Sequence, residues 1–258
     1  EVNFNHACNL ACSYCSPHLS SKWAEDIEQN GPYDTIVPHN SIDYFKQIKQ
    51  YPIPHREHNP YVEAFWEWWP ELYPKLQNFR MTGGEPLMDK NTFRVLDYVI
   101  DNGRPDLEMA VTTNASVPDK LWNKFVDKVS FISEYKKLKR FRAFVSVDGW
   151  GDQAEYMRHG LDFDRMWNNV NNYLTRVDEG LVTFIVTFNM LSLPSIKKLL
   201  EGILELQRIH NVTKSRRDED GNIVVYGHHK VFIDTRMLRY PLWQSLQLAP
   251  KEHWHYAD

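Results

Sequence analysis

Apolar positions follow two rhythms along most of the chain. Runs with a period of two predict strands at Val2–Asn5, Phe79–Thr82, Leu107–Thr113, Phe141–Val147, Leu181–Phe188 and Val231–Thr235, with shorter ones at Val129–Ile132 and Ile223–Tyr226. Apolar residues three and four apart predict helices from Asn40 or Ser41 to Gln50, and over Asp89–Asn102, Pro118–Asp127, Phe163–Val177 and Pro194–Ile209. In the helix from Asp89, Phe93, Leu96, Val99 and Ile100 share a face, and Gly103 follows the end. Leu19–Pro38 has no clear period, and the charged stretch Lys214–Asn222 reads as a solvated, mobile loop. The tail from Met237 to Asp258 has no clear period either.

Strands alternating with helices predict an α/β protein with a parallel sheet. About six such units fit, fewer than the eight of a closed barrel. The expected fold is therefore a partial (β/α)6, TIM-like barrel, open on one side. The core is expected over residues 1–236, with an aromatic-rich insertion at about 51–76 and a tail over 237–258. Pro60 starts a helix in that insertion and Pro70 ends or kinks it.

The 258 residues are 42% hydrophobic and 25% charged, near globular averages, which excludes bulk disorder. Thirty Lys and Arg against thirty-four Asp and Glu give a net charge of −4, so a broad nucleic-acid-binding surface is not expected. No apolar run is long enough to span a bilayer, and no basic-then-apolar start marks a secretory signal. The chain begins at Glu1 and not at Met, so it is expected to be processed or part of a longer product.

The three cysteines change the picture most. Cys8, Cys12 and Cys15 are spaced C-x3-C-x2-C directly after the first predicted strand, and no other cysteine occurs. An odd count excludes a disulfide framework. Three thiolates in so short a loop can face one point and leave a fourth coordination position unfilled by the protein. Structural zinc and electron-carrying iron–sulfur clusters usually take four protein ligands, so an open position points to chemistry. The competing reading is zinc completed by His6 or His18, in a binding module without turnover. That module would be colourless, whereas a cluster protein would be brown and oxygen-sensitive. Free thiolates and an oxygen-labile centre both imply a reducing, cytoplasmic setting.

Further along, Thr82-Gly83-Gly84-Glu85-Pro86 closes the second main strand. Glycines let backbone approach a ligand, and Glu85 offers a carboxylate to an ammonium. Thr112-Thr113-Asn114 ends the next strand, and Ser146 and Asp148 lie at the end of the one after, where α/β folds place ligand contacts.

The loop Asn9-Leu10-Ala11-Cys12-Ser13-Tyr14-Cys15 resembles that of the radical SAM superfamily, and Gly83-Gly84-Glu85-Pro86 resembles its GGEP motif. The resemblance implies a [4Fe–4S] cluster on Cys8, Cys12 and Cys15, with S-adenosylmethionine (SAM) on the open iron. It implies reductive cleavage to methionine and a 5′-deoxyadenosyl radical. It places Tyr14 near adenine, Gly83, Gly84, Glu85 and Pro86 at the methionine amino group, and Ser146 at the ribose or carboxylate. It makes Asp148 a pocket residue and pairs Arg158 with the SAM carboxylate. Thr113, Asn114, Thr187 and Asn189 at strand ends, and Met237 and Leu238 near adenine, complete the implied SAM set. An electron donor of the flavodoxin or ferredoxin type is implied.

The likeness is nearest to the SPASM/twitch branch, including twitch-type proteins of some phages and marine bacteria, which implies a peptide or protein side chain as substrate. A nucleotide or sugar metabolite is the alternative. Two features depart from that branch: no C-terminal cysteines for auxiliary clusters, and a long aromatic segment. Trp66 and Trp69 could stack on a substrate, but Phe65 and Trp69 are four apart on one helix face, which favours packing.

Overall fold

In the computed structural model, residues 1–34, 41–217 and 223–252 are described. The elements in chain order are β1 (Val2–Asn3), β2 (Ala11–Cys12), α1 (Ser21–Asn30), α2 (Ile42–Gln47), α3 (Pro60–Leu72), β3 (Asn78–Thr82), α4 (Lys90–Asp101) and β4 (Arg104–Thr113). They continue with α5 (Asp119–Glu134), β5 (Leu138–Ser146), α6 (Asp152–Met157), β6 (Arg158–His159), α7 (Phe163–Arg176), β7 (Leu181–Phe188), α8 (Ile196–His210), β8 (Val212–Arg217), β9 (Ile223–His228) and β10 (Val231–Met237).

Six strands form one parallel sheet in the order β1-β3-β4-β5-β7-β10. Its two edges, β1 and β10, do not pair, so the sheet is an open partial barrel. The period of two explains its layering. Leu107, Met109 and Val111 of β4 and Phe141, Ala143 and Val145 of β5 are buried in one cluster with Leu96 and Val99 of α4, Phe125 of α5, Val170 of α7 and Leu199 of α8. Each such side chain contributes about 1.5–3 kcal/mol by leaving water. The alternate residues, Glu108, Ala110 and Thr112 on β4 and Arg142, Phe144 and Ser146 on β5, are less buried and face the barrel interior. Side chains cap the outer helices: Asp89 accepts from Asn91 N at α4 and Asp162 from Arg165 N at α7.

Three local expectations are corrected. Val129–Ile132 is the end of α5 and not a strand, because Trp122, Phe125, Val126, Val129 and Ile132 keep the helical spacing and are all buried. The stretch from Leu19 contains α1, capped by Ser20, whose side chain accepts from Trp23 N, and stopped by Gly31 at φ 84°. Residues 214–217, expected in a loop, belong to β8, which pairs antiparallel with β9; this hairpin stands outside the main sheet. Residues 218–222 of that loop lie outside the described residues. Helix α3 starts at Pro60, as expected, includes Pro70 and ends two residues later at Leu72. Among the described residues no helix is long and apolar enough to cross a membrane.

The tail leaves β10 and returns to the cysteine loop. There the Gln244 side-chain amide donates to Ser13 Oγ in the cysteine loop at 2.6 Å.

Candidate functional site

The cysteine loop is held from several directions. Cys12 lies on β2, paired antiparallel with β6 so that Cys12 faces Arg158. Ser20 Oγ donates to Leu10 O at 2.7 Å, Trp23 Nε1 to Cys12 O at 2.9 Å, and Asn9 Nδ2 to Ser116 O at 3.1 Å. Leu10 is fully buried beneath it. All three thiols are free, and burial pushes those of Cys8 and Cys15 up to about 12, with that of Cys12 raised as well. Charge on Cys12 raises both of the others, and charge on Cys8 raises Cys15: the sulfurs sit within Coulombic reach of one another.

The three cysteines line one cavity of about 250 Å³ with Tyr14, Gly83, Gly84, Thr113, Asn114, Ser146, Arg158 and Thr187. Those eleven residues, drawn from the loop, from β6 and from the ends of β3, β4, β5 and β7, are brought together. Leu10, expected beside the cluster, and Thr112, noted at its strand end, also line it, as do Leu19 and Ser20, which were not singled out in the sequence. Thr112 had a signal, since it shares the inward face with Asn114 by alternation.

The other expected site residues stand behind this wall or away from it. Glu85 is buried, and its carboxylate accepts from Leu87 N at 3.1 Å, Thr113 Oγ1 at 2.8 Å and Asn114 N at 2.7 Å. Burial pushes its pKa up to about 7 against the pull of those three bonds. Glu85 is thus a tie between strand ends, and Pro86 opens the buried turn behind it. Asp148, fully buried, accepts from Tyr14 OH at 2.7 Å, Arg158 Nε at 2.8 Å and Thr187 N at 2.8 Å. Asn189 caps the turn after β7, accepting from Leu191 N and donating to Thr187 O. Met237 is exposed, while Leu238 is buried with its N–H on Phe188 O; neither lines the cavity, because the chain there still runs along β7.

Trp69 is buried, its ring centroid 5.1 Å from Phe65 and 4.9 Å from Phe79. Trp66 stacks on Phe4 and carries the Arg94 guanidinium over its face. Both pack the insertion onto the barrel and neither reaches the cysteine cavity. Trp66 instead lines a separate groove of about 1030 Å³ between residues 53–67 and the start of α4.

The two glycines have a reason the sequence alone does not disclose. A Cβ on Gly83, at φ 136°, would sit 2.4 Å from Asn3 Oδ1 and 2.8 Å from Asn5 O. One on Gly84 would sit 2.4 Å from Ala7 O and 2.6 Å from His6 O. The turn is pressed into the stretch that leads to Cys8, and only glycine fits.

The donor set decides which metal group suits the site. Its lining offers three thiols, hydroxyls, amides and one guanidinium, but no His, Asp or Glu. His18 Nδ1 bonds Ser16 Oγ at 2.8 Å and its ring lies on Phe45; the His6 ring faces Tyr51 and His55. Neither lines the cysteine cavity, and among the described residues no group of three or more His, Cys, Asp or Glu side chains is placed to hold a single metal ion. Three thiolates with one position left open suit a [4Fe–4S] cluster with an exchangeable iron.

The open parallel barrel, with thiols and polar groups gathered at the carboxyl ends of its strands, is an α/β architecture of the kind that places ligand contacts at that mouth. The chain belongs to the radical SAM superfamily, whose family model matches residues 2–203. Membership makes it an enzyme of the radical SAM class and implies a [4Fe–4S] cluster and SAM; a reading as a zinc module without turnover is set aside. A similar protein is the GTP 3′,8-cyclase of Sulfurimonas denitrificans, 21% identical over 215 residues, covering 83% of this chain and 53% of that protein. Another is the GTP 3′,8-cyclase of Nautilia profundicola, 25% identical over 114 residues, covering 44% of this chain and 26% of that protein. The chain thus spans about half the length, or less, of these relatives.

Proposed function

We propose that Cys8, Cys12 and Cys15 hold the cluster, and that SAM lies between it and the polar wall of Gly83, Gly84, Asn114, Ser146 and Thr187. When bound and reduced by one electron from an external donor, this pair would release methionine and supply a 5′-deoxyadenosyl radical to take a hydrogen atom from the substrate. The chain's own part is orientation and shielding. Leu10 and Leu19 give the cavity its apolar lining, and the tail is tied to the loop through Gln244 and Ser13. The observation that carries this reading is the convergence of three thiols and four strand ends on one small cavity.

The proposed substrate is a small anionic molecule of the nucleotide kind. Two arginines on the inner wall support this. Arg80 lies 4.1 Å from the Phe144 ring and donates from Nε to Thr112 Oγ1 at 2.9 Å. Arg142 donates to Thr183 Oγ1 at 2.6 Å and lies 4.9 Å from the Phe232 ring. Thr112 also lines the cysteine cavity, so Arg80 sits just beneath it. Among the described residues neither arginine is in an ion pair, and Glu108 nearby is taken by Lys139 at 2.9 Å. Glu108 lies within Coulombic reach of Arg142, but among the described residues neither guanidinium touches a carboxylate, and such cations inside a barrel suit phosphate oxygens. The names of the relatives, cyclases of GTP, point the same way.

A peptide side chain is the second reading. In its favour is the groove beside Trp66, which is large and lined by charges of both signs, as a peptide segment would need.

Anaerobic reconstitution should give a brown protein with about four irons per chain, and addition of dithionite and SAM should release 5′-deoxyadenosine. Nucleoside triphosphates and peptides, offered separately, should differ in how far they accelerate that release. A fully iron-loaded protein that never cleaves SAM would falsify the reading.

A further inference from the structure

Arg158 is placed with unusual constraint. It lies on β6, directly opposite Cys12 of β2, and is buried. Each arm of its guanidinium has a separate partner. Nε donates to Asp148 Oδ2 at 2.8 Å, Nη2 to Tyr14 OH, and Nη1 points at Cys12 Sγ, 3.7 Å away. Asp148 is itself immobilised, its other oxygen taking Thr187 N at 2.8 Å. With Nε and Nη2 both committed, the planar group cannot turn away from the sulfur.

We propose that Arg158 sets the reduction potential of the cluster through Cys12, as a positioning residue that Asp148 and Tyr14 hold against the sulfur. This rests on the reading that Cys12 is a cluster ligand. Hydrogen bonds to the sulfurs and local charge are levers on iron–sulfur potentials. An added electron increases negative charge on the ligand sulfurs, so a cationic N–H there favours the reduced state more than the oxidised one. The ion pair is neutral as a whole but oriented: its positive end meets Cys12 and its negative end lies behind. A buried dipole of this kind is poorly screened. It makes the electron easier to place on the cluster from an external donor.

The test uses the full chain, reconstituted anaerobically, as parent, R158Q, R158K, D148N and the double variant D148N/R158Q. Iron and sulfide content and far-UV circular dichroism establish loading and fold. The cluster midpoint is then titrated by electron paramagnetic resonance, without and with SAM. R158Q should lower the reduced-to-oxidised ratio at a set potential about tenfold, which is about 59 mV for a one-electron couple. D148N should move the midpoint the opposite way, and R158K should fall between R158Q and the parent. Removing Arg158 alone leaves Asp148 buried without its cation, so the double variant guards against misfolding and should also lower the midpoint.

Loaded variants whose midpoints match the parent's without SAM would overturn the proposal. If they instead only weaken SAM binding, Arg158 serves the SAM carboxylate and the proposal also fails. A parent that takes up no iron overturns the cluster reading itself, a distinguishable result.

Discussion

Glu85 and Asn114 are joined across two strand ends: the carboxylate following β3 accepts the Asn114 backbone N–H beyond β4 at 2.7 Å. The same carboxylate holds Thr113 and Leu87, so one buried acid fixes the turn whose glycines wall the cysteine cavity. Its pKa of about 7 has a consequence for stability. The folded-state value lies above the unfolded one, so between about pH 4.5 and 7 the folded chain holds a proton that the unfolded chain has lost. This contribution is fully present below about pH 4.5 and lost as pH rises through 7. Its size is on the order of 3 kcal/mol. Glu85→Gln should remove that slope from denaturation curves between pH 5 and 7, measured on the reconstituted protein. It should also cost about 1–3 kcal/mol at pH 5, because its amide NH2 faces donors.

Gly84 tests the packing of the turn. A methyl group there meets Ala7 O at 2.4 Å, backbone that leads straight to Cys8. Gly84→Ala should destabilise the fold by about 3 kcal/mol and lower the iron bound per chain. Gly31→Ala is the control: Gly31 sits at φ 84° with nothing within 4 Å of the added carbon. At ψ 167° it lies in a nearly glycine-only region, so the change should cost about 1–3 kcal/mol of backbone strain and leave iron content unchanged. Equal iron content in the two variants would contradict the packing account.

The sequence was most legible where information is local. The strands at Leu107 and Leu181, and the helix with Phe93, Leu96 and Val99 on one face, follow from periodicity. The cysteine spacing and the Gly-Gly turn are readable because each lies within a few residues. Helix α1 was missed because Trp23, Ala24 and Ile27 make too thin a stripe, although its caps Ser20 and Gly31 were in view. Val129 and Ile132 looked like a strand because β-branched residues fit either element until Trp122 and Phe125 are counted on the same face. What could not be read were the long-range partners. Tyr14 and Asp148 are 134 residues apart, and Glu85 meets Asn114 only because β3 and β4 are neighbours. Glu85 and Arg158 were expected at SAM, and the protein partners that the fold also gives each of them are announced by no local pattern.

The aromatic helix gives a separate contrast. Trp69 is 1% exposed and Trp68 54%, one residue apart on α3. If the helix is packing, Trp69→Ala should cost about 3–5 kcal/mol in chemical denaturation. Trp68→Ala should stay within about 0.5 kcal/mol of the parent. Both variants should keep the parent's KM once folded. A Trp68→Ala protein of full stability with a raised KM would return this helix to the substrate site.

The inner-wall arginines make the proposed substrate class testable. Each charge-assisted hydrogen bond to an anion contributes about 1.5–3 kcal/mol, so losing one should raise KM about tenfold or more. Arg80→Gln and Arg142→Gln should therefore raise KM for a nucleoside triphosphate, and should do so less for the corresponding nucleoside. Both arginines also pack on the Phe144 ring, so Phe144→Leu measures what that packing contributes. It should disturb nucleotide and nucleoside alike, because it removes shape and no charge. Uncoupled SAM cleavage, assayed with dithionite alone, should survive in all three variants, since none of these side chains lines the cysteine cavity. If the arginine variants treat nucleotide and nucleoside equally, phosphate is not what the wall holds, and the groove beside Trp66 becomes the place to look for the substrate.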